Sequence, residues 1–176
     1  MTQAALDLLY PEDAPTAPVR VHHPTGRHQR PRVRPQPGQV PWAATATVPA
    51  RVLVAEDDTE MRRLLVDAFA HAGYQVIEVA DGRQLLACLA DPHHRDHCPE
   101  PDLVVSDIRM PGHSGLDVLA ALRQHDWAMP VLIITAFGSP ETHAEARRLG
   151  AAAVLDKPFD IDDLIDVAEG IVPSAA

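Results

Sequence analysis

The rhythm of apolar and polar positions changes sharply at Arg51. From there, five short apolar runs are each followed by a stretch with helical spacing. The runs are 51–55 (RVLVA), 75–79 (QVIEV), 102–106 (DLVVS), 130–134 (PVLII) and 152–155 (AAVL). They have the length and β-branched content of strands. Between the first two, residues 59–72 place Met61, Leu64, Leu65, Ala68 and Phe69 on one helical face, and Gly73 follows as a C-terminal cap. Residues 82–90 and 115–124 predict a second and a third helix. The fourth starts with Ser139 as N-cap and Pro140 at its first position and stops at Gly150. The fifth puts Ile161, Leu164, Ile165 and Ala168 on one side.

Strict alternation of strand and helix implies right-handed crossovers and a parallel sheet covered on both faces. The first, third and fourth strands are almost wholly apolar, as strands buried on two sides must be. The second alternates (Gln75, Val76, Ile77, Glu78, Val79), which suits a sheet edge. The expectation is an α/β, doubly wound, flavodoxin-like (βα)5 domain over residues 50–174. Its strand order is 2-1-3-4-5, with the second strand outermost.

Residues 1–49 read differently. They hold nine of the 17 prolines and show no sustained periodicity. Such a stretch cannot bury enough apolar surface to offset chain entropy, so a disordered Pro/Arg-rich extension is expected. The segment Ala4–Leu9 could form a short docking helix, but a frayed terminus is the favoured reading. The basic run Arg27, Arg30, Arg32, Arg34 lacks aromatic residues and reads as solvated linker.

Charge and cysteine content narrow the class. Five Arg against three acids give residues 1–50 a net +2, whereas residues 51–176 carry 10 basic and 22 acidic side chains, a net −12. A surface that acidic argues against gripping nucleic acid by its phosphates. No apolar run approaches the roughly 20 residues of a spanning helix, and no basic flank precedes the first apolar residues as in a signal peptide. A cytoplasmic protein is expected, with Cys88 and Cys98 as reduced thiols.

Candidate chemistry gathers at the carboxyl ends of the strands. In an open α/β sheet, ligands bind there, where the strand order reverses. For order 2-1-3-4-5 the first and third strands flank that point. They run into Glu56 and Asp57, and into Asp107. Three carboxylates together repel unless a cation joins them, and an oxygen-rich set with room for water suits Mg²⁺. The fourth strand ends at Thr135, a hydroxyl donor for a phosphoryl oxygen. The fifth leads to Lys157, the single Lys in a chain with 14 Arg. Each residue alone has a plainer explanation: Asp57 or Asp58 as a helix cap, Asp107 as a turn former before Met110-Pro111-Gly112, Thr135 as an ordinary strand end, Lys157 as a surface charge. Four strand ends each supplying a group that Mg²⁺-dependent phosphoryl transfer needs are hard to assign to chance.

The segments VLVAEDDTEMRRLL (52–65), VVSDIRMPGHSGLDVL (104–119), VLIITAFG (131–138) and VLDKPFD (154–160) resemble the receiver domain of bacterial two-component response regulators. The likeness runs from about Arg51 to Val172 and leaves residues 1–49 uncovered. It implies that Asp107 is the phosphoacceptor and that Glu56 and Asp57 hold Mg²⁺ with Asp107 and the backbone carbonyl of Arg109. It further implies that Thr135 and Lys157 are the switch hydroxyl and the phosphate-binding lysine, and that the Lys157–Pro158 bond is cis. The expected donor is a histidine kinase or histidine phosphotransfer protein, with Asp107 attacking the phosphorus of its phosphohistidine. Phosphate would then draw Thr135 and Lys157 inward and shift the face of the fourth and fifth helices. The protein would be a phosphoacceptor assisting its own modification rather than an enzyme.

Two features depart from the family. Where it often carries Tyr or Phe three residues before the lysine, this chain has Val154. The loop 91–101 (DPHHRDHCPEP) is longer than usual. Its His93, His94, His97 and Cys98 could ligate a transition metal, although a solvated loop is the favoured reading. Arg109 and Phe137, each two residues past a site residue, are expected to flank the phosphate and slow its hydrolysis. Because no output domain follows the fifth helix, function is expected to run through contacts with a protein target or along a phosphorelay. Three alternatives are weaker. A haloacid-dehalogenase-type phosphatase would need an acid at 109. A flavodoxin-like electron carrier would suffer repulsion between Glu56, Asp57 and the flavin phosphate. An unphosphorylated scaffold would not need a complete acceptor set.

Overall fold

The computed structural model describes residues 19–23, 48–90, 98–125 and 127–174. Eleven elements follow in order: β1 (Arg20–His22), β2 (Arg51–Ala55), α1 (Thr59–His71), β3 (Gln75–Val79), α2 (Gly82–Ala90), β4 (Leu103–Asp107), α3 (Gly115–Gln124), β5 (Val131–Thr135), α4 (Pro140–Arg148), β6 (Ala153–Asp156) and α5 (Ile161–Ile171). The sheet order is β1-β3-β2-β4-β5-β6. Its five strands from β2 onward are parallel. They reproduce the expected 2-1-3-4-5 arrangement.

Alternate strand residues enter two cores. Leu53, Ala55, Ile77, Val79, Val104 and Ile133 face α2 and α3. Val52, Val54, Val76, Leu103, Val105, Leu132 and Ile134 face α1 and α5, where Leu65, Phe69 and Leu164 are buried. This two-sided burial is why β2, β4 and β5 are nearly uninterrupted apolar runs. The helix boundaries follow local chemistry. Asp58 caps α1 by accepting from the Met61 N–H (2.8 Å), Ser114 and Asp117 form a capping box at α3, and Ser139 caps α4 ahead of Pro140. Gly73, at φ 96°, turns the chain out of α1.

Three expectations change. The strand predicted as outermost, now β3, has a neighbour. β1 pairs antiparallel with it, Arg20 opposite Glu78 and His22 opposite Val76. The stretch Val19-Arg20-Val21-His22 does alternate, and Val19 and Val21 pack on the α2/α3 core, but four residues among prolines are too few to register as a period. The disorder expected for residues 1–18 and 24–47 concerns positions outside the described residues. Second, Cys88 and Cys98 are not free thiols but form a disulfide, with Cα atoms 5.4 Å apart. The sheet brings the end of α2 beside the approach to β4, a proximity that reasoning from compartment could not reveal. Third, Cys98 is thereby removed from any metal set, and His93, His94 and His97 lie outside the described residues.

Three strands, β4, β5 and β6, are displaced by one residue from the sequence expectation, and the first two shifts matter for the site. β4 and β5 end on Asp107 and Thr135 themselves, so both side chains are held by ladder-paired backbone. The peptide bond Lys157–Pro158 is cis, as expected. No helix among the described residues is long and apolar enough to cross a membrane.

Candidate functional site

Glu56, Asp57, Asp107, Thr135 and Lys157 meet at the carboxyl end of the sheet, at the strand-order reversal between β2 and β4. Glu56 follows β2 directly, and its N–H donates to the Val79 carbonyl (3.3 Å). Because Asp58 serves as the helix cap, Asp57 is left free of that role. One carboxylate oxygen from each of Glu56, Asp57 and Asp107 lies within 4.8 Å of the others. Glu56 is 1% exposed and Asp107 5%, whereas Asp57 is open to solvent.

One ammonium serves this group. Lys157 Nζ donates to Glu56 Oε2 at 2.7 Å and lies 3.0 Å from Asp107 Oδ1. The second oxygen of Asp107 accepts the Arg109 N–H (2.8 Å). Burial pushes the Glu56 carboxyl above its usual range, against the pull of Lys157, and the neighbouring charge of Asp107 adds to the rise. Burial would lower Lys157, but its hydrogen bonds to Glu56 and Asp107 outweigh this and hold its pKa up. Three carboxylates against one cation leave the crevice short of positive charge.

Thr135 is buried, 1% exposed, at the end of β5. Its Oγ1 accepts the Phe137 N–H (3.1 Å), and its carbonyl accepts the Lys157 N–H (2.7 Å). The register Thr135↔Asp156 places Lys157 immediately beyond the pair. Beneath the acceptor, a Cβ on Gly115 would sit 2.3 Å from the Asp107 carbonyl oxygen. Only glycine lets α3 start this close. Beside the crevice, the Arg109 guanidinium lies 3.6 Å from the centroid of the Phe137 ring, which is 57% exposed. Arg109 and Phe137 therefore do come together at the site. Val154, at the position often aromatic in the family, is partly buried against the α2/α3 core.

Sequence reasoning missed Arg62. In the first turns of α1, its Nη1 donates to the carbonyls of Glu56 (2.7 Å) and Asp57 (3.3 Å), while Nε donates to Glu78 Oε2 (3.2 Å). Nothing in the spacing distinguished it from Arg63 beside it.

The fold and the site define a class, and the comparisons agree. The family model of the response regulator receiver domain matches residues 52–169. The regulatory protein AtoC of Escherichia coli is 40% identical over 114 residues, covering 65% of this chain and 23% of AtoC. Sporulation initiation phosphotransferase F of Bacillus subtilis is 32% identical over 123 residues, covering 70% of this chain and 94% of that protein. Among solved structures, the chemotaxis protein CheY4 of Vibrio cholerae superposes with a TM-score of 0.62 at 29% identity, covering 71% of this chain and all of CheY4. The chain belongs to the response regulator receiver domain family, the phosphoacceptor modules of two-component phosphorelay signalling. It spans less than a quarter of the length of AtoC.

Proposed function

We propose that Asp107 accepts a phosphoryl group from a phosphohistidine within a receiver domain spanning residues 50–174. The observation that carries this reading is the setting of Asp107. It is a nearly buried carboxylate at the end of a central strand, in contact with Lys157 and grouped with Glu56 and Asp57. A carboxylate oxygen attacks phosphorus, the new O–P bond forms, and the P–N bond breaks with its electrons returning to the imidazole. Lys157 balances charge on the phosphoryl oxygens, and the Thr135 hydroxyl donates to one of them. Catalysis of this kind is positioning and charge neutralisation, since the carboxylate is itself the nucleophile.

The charge deficit of the crevice and its all-oxygen donor set fit a hard divalent cation, with exposed Asp57 leaving room for bound water. Glu56, Asp57, Asp107 and the backbone carbonyl of Arg109 would hold Mg²⁺. When bound, it supplies the positive charge that the transferred group requires.

The donor is a histidine kinase or a histidine phosphotransfer protein. Output runs through protein contacts, either with a regulated target or by passing the group onward. The name of the Bacillus phosphotransferase supports the relay form. The acidic domain disfavours direct nucleic-acid contact, and a cytoplasmic location fits this chemistry. The test is incubation with acetyl phosphate and Mg²⁺, read by intact mass. Wild type should gain one phosphoryl group and Asp107→Asn none. An unmodified wild type, or equal modification of the variant, would sink the assignment.

A further inference from the structure

We infer that the N-terminal strand β1 is a positioning element for the acidic pair, acting through Glu78 and Arg62. This inference rests on the proposed metal-holding role of Glu56 and Asp57. Alternation in β1 sends Val19 and Val21 into the core and leaves Arg20 and His22 on the opposite face, beside Glu78. There His22 Nε2 lies 3.1 Å from Glu78 Oε1, and Arg20 Nη1 lies 4.0 Å from the same oxygen. The other oxygen of Glu78 takes Arg62 Nε at 3.2 Å. Arg62 in turn clamps the carbonyls of Glu56 and Asp57. A continuous line of polar contacts therefore joins the extension to the backbone that aims two of the three carboxylates.

Both Glu78 and Arg62 are largely enclosed, with side chains 13% and 15% exposed. Ion pairs that enclosed hold geometry better than exposed ones, because less water competes for them. Glu78 also keeps the Arg62 cation engaged. Released from Glu78, that guanidinium can turn toward the Asp57 carboxylate and compete with a divalent cation for it. Docking of β1 thus favours cation binding by completing the partners of Glu78. Partners that orient metal-holding groups from behind typically alter metal affinity by about 10- to 100-fold when removed. A strand two contacts further back should act more weakly.

The experiment is calorimetric titration of Mg²⁺ into the full, unphosphorylated chain, with thermal unfolding measured alongside. Arg62→Ala should weaken the Kd by about tenfold. Glu78→Gln, and Val21→Asp to undock β1, should each weaken it by about threefold. The double variant Glu78→Gln/Val21→Asp should be no weaker than Glu78→Gln alone, a non-additivity that general loss of stability does not produce. If Val21→Asp does not fold, His22→Ala takes its place. Unchanged Kd values in Glu78→Gln and Val21→Asp, or fully additive effects in the double variant, would overturn the inference. A wild type that binds no Mg²⁺ and takes no phosphoryl group would instead overturn the function proposed above.

Discussion

Two charged clusters sit on neighbouring strands of one sheet and are balanced in opposite ways. At the crevice, three carboxylates share the single ammonium of Lys157. At the outer edge, the single carboxylate of Glu78 is approached by Arg62, His22 and Arg20. The edge cluster is satisfied within the chain and contributes to structure. The crevice is left with surplus negative charge, and that imbalance marks it as a place where something positive must arrive. Which groups lack a partner therefore says more about function than how many charges are present.

The largest expected effect breaks the crevice outright. Lys157→Ala removes the cation that contacts Glu56 and Asp107, and phosphorylation of Asp107 by acetyl phosphate, followed by intact mass, should slow by about 100-fold, the scale of losing one preorganised charge partner. Retention of the wild-type rate would show that Lys157 is not part of the charge balance.

The comparison sharpens when one carboxylate is removed from each cluster in metal-free protein. Glu78→Gln should destabilise by about 1–2 kcal/mol, since it strips Arg62 and His22 of their acceptor's charge. Asp57→Asn should do the reverse and stabilise by about 0.5 kcal/mol, because it relieves like-charge repulsion at an exposed position. Denaturant unfolding in chelator measures both. Effects of the same sign would mean that the two clusters do not differ as described.

A pH dependence follows from Glu56, whose carboxyl is raised above the ordinary 4.5 mainly by burial. Its folded form holds a proton more tightly than its unfolded form, so its contribution to stability is present below that value. The contribution is lost as pH rises through the folded pKa. The stability difference between wild type and Glu56→Gln, without metal, should therefore shift against wild type as pH climbs through that window. A flat difference would show that Glu56 is not strained by its burial.

The smallest effect concerns the Arg109–Phe137 contact beside the crevice. The two residues flank Asp107 and Thr135 through their backbone N–H groups, and their stack should slow attack of water on the acyl phosphate. Phe137→Ala and Arg109→Ala should each speed its decay by about two- to fivefold, consistent with losing a cation–π contact of about 0.5–1 kcal/mol. Decay is followed by mass after removing the donor. If neither substitution speeds it, the stack is not a shield.

Much of this was legible from the pattern of residues alone. The five parallel strands, the caps at Ser139 and Gly73, and the convergence of Glu56, Asp57, Asp107, Thr135 and Lys157 follow from periodicity and from where strand ends must lie in a doubly wound sheet. The hidden features share one property: each depends on proximity between segments whose local signals are weak or ambiguous. β1 is three residues long, Arg62 looks like any helix-surface arginine until Glu78 and two carbonyls surround it, and Cys88 and Cys98 are joined because α2 and the approach to β4 are side by side.

The amino-acid sequence by itself determined the fold class, the order of the five parallel strands and the gathering of Glu56, Asp57, Asp107, Thr135 and Lys157 at one edge, because alternation of strand and helix leaves few chain paths and those paths deliver particular residues to that edge. Tertiary structure alone decided how the charges are shared, which helix cap freed Asp57, and that a strand from the extension closes the sheet. Those outcomes turn on distances of a few ångströms between side chains remote in sequence, and no local pattern encodes them.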